Sequence, residues 1–244
     1  MVRGRSTKSE HTELDSFALD PEELDRRVAA SYPDFYLMII GLIQGIATVF
    51  LVNSAINTPA FKALAEGVWP IEFSTAETMV FVRIILSLTL IVIVTYEYAY
   101  AIVMLRRYPR YADIYIPLFL GISEVLSIHF IYQTHLWWLM NGIASLAGIF
   151  AWWFTFRVSS LNFRPKTTAR RRTWRQLILN VIITMTAVAI CFNAFRLHWN
   201  GSLSMNFEVV HYIAYFLVGT ILFMRGRRFL DALRKQLQID ANAD

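Results

Sequence analysis

The chain has 244 residues, 56% of them hydrophobic and 15% aromatic, with a mean hydropathy of +0.45. That composition excludes an ordinary soluble domain. The formal charge of +5 does not read as a nucleic-acid surface. All but three of the 23 Lys and Arg residues lie in segments 1–34, 105–112, 157–175 and 225–244, next to apolar runs.

A bilayer crossing takes about 20 apolar residues. Six stretches qualify, near 35–53, 79–104, 113–132, 136–155, 176–194 and 207–224. The predicted fold is therefore an all-α integral membrane protein, a six-transmembrane-helix bundle with cytoplasmic amphipathic helices at both ends. A β-barrel is excluded because barrel strands are short and alternate polar with apolar residues. The basic segments put both termini on the cytoplasmic side of a plasma (inner) membrane. The exceptions are Lys62 and Arg196, on the other side, and Arg83 inside an apolar run. Residues 1–34 form a cytoplasmic segment, 35–224 the membrane domain and 225–244 a cytoplasmic tail. No apolar core precedes the first crossing, which is expected to be retained as an anchor.

In chain order, Asp20-Pro21-Glu22-Glu23 starts a short helix with Asp as N-cap. Tyr32-Pro33-Asp34 is expected to end it before crossing one. The loop 54–76 contains Pro59, Gly67 and Pro70, and Ala60–Glu66 is expected to form one or two helical turns. Ser74-x-x-Glu77 makes a capping box opening crossing two. The turn Arg106–Arg110 and the turn Gln133-Thr134-His135 are short, so crossings two, three and four are predicted to be antiparallel neighbours. Trp137-Trp138 and Trp152-Trp153 bracket crossing four, about 21 Å apart along the helix, and read as an aromatic belt at both interfaces. Cys191 is the only cysteine and reads as a packed thiol. Asn200-Gly201-Ser202 matches a glycosylation sequon. In the tail, Phe229, Leu230, Leu233 and Leu237 share a face against Arg227, Arg228, Arg234 and Lys235. That pattern suits an interfacial amphipathic helix, a cytosolic continuation of crossing six, or a subunit contact.

Ionisable groups inside a bilayer cost about 2.5–3.5 kcal/mol each at its centre, so they point to function. Arg83, Glu97, Glu124, His129 and His211 qualify. Helical periodicity puts Arg83, Ser87 and Glu97 on one face of crossing two, and Asp113, Pro117, Gly121, Glu124 and Ser127 on one face of crossing three. Crossing four offers Asn141, Ser145, Gly148 and Thr155. Crossing five offers Asn180, Thr184, Ala187 and Cys191, and crossing six offers Glu208, His211, Tyr212, Tyr215 and Gly219. Crossing one brings Gly41, Gln44, Gly45 and Thr48, a small-xxx-small step suited to packing. By depth, Arg83, Glu124, His129, Asn141 and His211 fall in the outer half, while Glu97, Asp113 and Asn180 lie toward the cytoplasm. Arg83 and Glu124 are a candidate buried pair.

These features point to a channel or small transporter, a homo-oligomer, with a cation or proton route through Arg83, Glu97, Glu124, His129, Asn141, Asn180 and His211. The two histidines are candidate gates near neutral pH. Haem ligation by His129 and His211 is disfavoured, since His129 points away from the Glu124 face, so no cofactor and no metal is expected. The alternative is a non-catalytic anchor or signalling subunit for a soluble cytoplasmic partner. A histidine-based redox protein ranks below both. Membrane lipids, including anionic headgroups, are expected partners of the basic segments; nucleic acid is not. Zinc-protease, nucleophile-elbow, phosphate-loop and voltage-sensor patterns are missing.

Overall fold

The computed structural model describes residues 21–67, 74–105, 111–162, 167–202 and 204–241, with side chains over a narrower set. The described residues form seven helices and no strand. They are α1 (Pro21–Ile56), α2 (Pro59–Ala65), α3 (Thr75–Leu105), α4 (Tyr111–His129), α5 (Thr134–Asn162), α6 (Thr167–Trp199) and α7 (Met205–Ala241). Five stretches are long and apolar enough to cross a membrane: Asp34–Ile56, Thr75–Tyr96, Thr134–Trp153, Trp174–Trp199 and Met205–Arg228. This is the architecture of a helical multi-pass membrane protein. The third expected crossing is α4, whose apolar part, Tyr115–His129, is shorter than the other five.

The helices close into a ring. Helix α1 packs on α3 and α4, α4 on α5, α5 on α6, α6 on α7, and α7 on α3. Large apolar side chains such as Leu42, Val49, Phe150 and Ile213 face outward, each more than half exposed. The expectation that α3 and α4 are close neighbours needs correcting. They touch only sparsely, because α1 contacts both far more extensively. Close approach rests on small residues. A Cβ on Gly121 of α4 would collide with Ile43 of α1. One on Gly142 of α5 would meet Phe192 and Cys191 of α6 at 3.2 and 3.3 Å.

Local signals in the outer loop hold. Ser74 N–H donates to Glu77 Oε2 at 2.8 Å and Glu77 N–H to Ser74 Oγ at 3.3 Å, the two halves of the capping box. Helix α2 starts with Pro59 after the N-cap Thr58. Gly67, at φ 74, follows its end in the left-handed region.

Three expectations fail. Helix α1 does not stop at Tyr32-Pro33-Asp34 but runs unbroken to Ile56. A proline removes one N–H from the i→i−4 ladder, and a long helix absorbs that loss. Gly41 and Gly45 make no packing contact within the chain: both are exposed, and a Cβ on either meets nothing within 4 Å. Trp137 and Trp138 form no interfacial belt, because both are 0% exposed. Their rings fill the space inside the ring of helices, against Tyr212 and Tyr215 of α7.

Helix α7 continues without interruption to Ala241. The side chains that would define an amphipathic tail, Phe229, Leu230, Leu233, Arg234, Lys235 and Leu237, lie outside the described set. So do Asp20, the turn 106–110 and the side chains of Glu97, Asp113 and Thr155.

Candidate functional site in the helix ring

Four of the predicted stripes turn inward. Pro117, Gly121, Glu124 and Ser127 of α4 are buried, as are Asn180, Thr184, Ala187 and Cys191 of α6. Asn141 of α5 is buried with Ser145 partly so, and Tyr212 and Tyr215 of α7 are buried. A helix closed into a ring must put one face inside, and the sequence puts its polar groups there.

Two separate polar centres result. The first surrounds Arg83 of α3, which is 4% exposed. Its Nη2 pairs with Glu208 Oε1 of α7 at 2.9 Å and also donates to Thr134 Oγ1 of α5. Its Nη1 donates to the Ile131 carbonyl at 2.8 Å, and its Nε to the Tyr212 hydroxyl. The Tyr212 hydroxyl in turn donates to Glu208 Oε1. A delocalised, planar guanidinium suits this many acceptors. The pairing of Arg83 with Glu124 is therefore corrected: the acid that neutralises Arg83 is Glu208. Both residues lie near the same end of their helices, which was the available signal. One helical turn along, Ser87 accepts from Trp137 Nε1 at 3.3 Å.

The second centre surrounds Glu124, which is 1% exposed. Gln44 Nε2 of α1 donates to Glu124 Oε2 at 2.9 Å. Glu124 Oε1 and Gln44 Oε1 have no hydrogen-bond partner. Glu124 lines a cavity of about 150 Å³ with Ser145 of α5, Thr184 of α6 and Tyr215 of α7. Gln44, the partner of Glu124, lines a separate void of about 10 Å³ with Ile40, Val94 and Pro117. That void is about the size one water needs. Tyr215 donates to Asn141 Oδ1 at 3.4 Å, and Asn141 Nδ2 to the Trp137 carbonyl at 2.8 Å. The amide of Asn180 is buried with neither Nδ2 nor Oδ1 partnered. Its carbonyl accepts from Thr184 Oγ1 at 2.8 Å.

The histidines are not brought together. His129, at the exposed end of α4, meets Phe130 edge-on. His211 bonds through its ring nitrogens to Asn193 and the Phe207 carbonyl, and its ring meets Trp138. The two rings thus have different neighbours and share none of these contacts. The described residues contain no group of three or more His, Cys, Asp or Glu able to hold a metal ion. A different imidazole pair does form: His135 and His198 stack with ring centres 5.5 Å apart. Periodicity within one helix gives no hint of that pair, because its members lie on different helices.

Sequence reasoning thus placed Arg83, Glu124, Asn141 and Asn180 on inward faces and missed Gln44 as the partner of Glu124. Comparison with protein-family models, curated proteins and solved structures gives no match to this chain.

Proposed function

We propose that this chain is a small transporter that moves a proton or another cation by way of Glu124. One observation carries the reading: a buried carboxyl, with one oxygen unpartnered, lines a cavity inside the helix ring. Burying a carboxyl without full hydrogen bonding is costly, and an intramembrane acid facing a cavity is the usual mark of an ion or proton path. In this reading α4 also spans the bilayer, bringing the count to six, since α1 and α5 pack on it and Leu118, Phe119 and Ile122 stay exposed. The basic segments then hold both termini at the cytoplasmic face of the plasma membrane, against anionic headgroups. Self-association would use the bare strip at Gly41 and Gly45.

A second reading, a non-catalytic membrane subunit for a soluble partner, draws on Arg83. A cation held by Glu208, Thr134, Tyr212 and a backbone carbonyl is a lock between helices rather than a mobile site. The two readings separate in proteoliposomes carrying imposed gradients of H⁺, K⁺ or Na⁺. A transporter dissipates at least one gradient faster than protein-free vesicles. Rates equal to those of protein-free vesicles for all three would leave the subunit reading standing.

A further inference from the structure

The cavity beside Glu124 has a composition that selects its occupant. Its walls are almost wholly apolar or aromatic, with Leu86 and Leu90 from α3 and Trp152 from α5. Its polar groups are the Glu124 carboxyl and the hydroxyls of Thr89, Ser145, Thr184 and Tyr215. Among the described residues, no Lys, Arg or His lines it. The buried cation of the bundle, Arg83, is already held by Glu208. Among the described residues, then, no side chain offers Glu124 a counter-charge, and a ligand that carries or acquires one has that place to fill.

Size and access narrow the class. A cavity of about 150 Å³ accepts a single six-membered ring; an engineered apolar cavity of that size binds benzene. The cavity lies along the seam between α3 and α7, one of the sparser contacts in the ring. Phe216 of α7, 45% exposed, stands at its rim. A bilayer-soluble molecule reaches that seam from the side. Trp152, Tyr215 and Phe216 put aromatic rings, which attract cations, in its lining, and Glu124 Oε1 lacks a hydrogen-bond donor.

We propose that this cavity binds hydrophobic ammonium compounds bearing at least one N–H, with the ring or chain in the apolar part and the N–H on Glu124. This deepens the transport reading and rests on it for the claim of movement, though not for the claim of binding. A neutral amine entering from the bilayer meets Glu124 as the carboxylic acid. The amine lone pair takes the proton, the O–H bond breaks and an N–H bond forms, leaving an ammonium–carboxylate pair with no net change in charge. The carboxyl then holds either a proton or an ammonium, never both. Exchange of one for the other is the coupling such a site provides.

The test uses the full chain in lipid nanodiscs and three matched probes: benzylammonium, benzyltrimethylammonium and benzyl alcohol. Calorimetric titration is expected to show benzylammonium binding about tenfold more tightly than either of the others, the effect of a hydrogen bond between charged groups. Glu124→Gln keeps the shape and is expected to abolish that preference. Gly219→Leu, at a position where a Cβ meets nothing within 4 Å, fills the cavity and is expected to weaken all three probes without lowering the thermal unfolding midpoint. Equal affinities in the unsubstituted protein, no binding at all, or a preference that survives in Glu124→Gln would each overturn the proposal. Amine preference with no flux would sink transport alone. Cation flux without amine preference would sink this inference alone.

Discussion

At the scale of single residues, two buried charges in one bundle are treated in opposite ways. Arg83 has partners on three other segments, and its charge is neutralised by Glu208 at 2.9 Å. Removing one member of such a pair leaves the other charge buried, which costs about 3–5 kcal/mol. Arg83→Ala is therefore expected to lose that much stability in detergent unfolding. The double variant with Glu208→Gln should lose less than the sum of the two single changes. Additive losses would mean that the pair is not coupled. Glu124 has one donor, Gln44, and a free oxygen. On that contrast we read the first group as a lock and propose the transport role for the second. The sequence showed both residues as intramembrane ions. It could not show which acid meets Arg83, because helical periodicity gives a face and not a neighbour. Glu208 sits at the start of α7, and only the closing contact of α7 on α3 brings it to Arg83.

At the scale of elements, helix existence and type were legible, since long apolar runs in a bilayer have few alternatives to helix. The capping box at Ser74 and the turn of helix at Pro59–Ala65 were legible too, because both are local. Helix ends and packing partners were not. Pro33 was expected to break α1, yet the helix passes through it. The Gly41–Gly45 step resembles a packing motif, but the contact falls at Gly121 instead, against Ile43. Gly121→Ala is expected to lower stability by about 1–3 kcal/mol through overpacking. Gly219→Ala, with open space around its Cβ, is expected to raise it by about 0.5–1 kcal/mol. Thermal unfolding of the two variants side by side checks the ring order. Equal effects at both positions would contradict the α1–α4 contact.

At the scale of the whole molecule, the charge pattern predicts orientation while the ring of helices defines an interior. Cys191 is the only cysteine, so single cysteines placed in a Cys191→Ser background report sidedness. A cysteine at Gln133, between α4 and α5, is expected to react with impermeant maleimide from outside sealed cells, and one at Arg228 only after lysis. Labelling of the Gln133 cysteine only after lysis, with one at Lys62 in the outer loop labelled from outside, would remove α4 from the list of crossings. Function was less legible than fold. The inward stripes suggested a polar route, but the unpartnered oxygen of Glu124 and the cavity beside it depend on five helices converging.

The decisive measurement is dissipation of an imposed pH gradient by vesicles carrying equal amounts of folded wild-type protein or Glu124→Gln. If Glu124 carries the proton or cation, the variant dissipates the gradient at least about tenfold more slowly. A variant that matches the wild-type rate, or a wild-type rate no faster than that of protein-free vesicles, would contradict a transport role for Glu124.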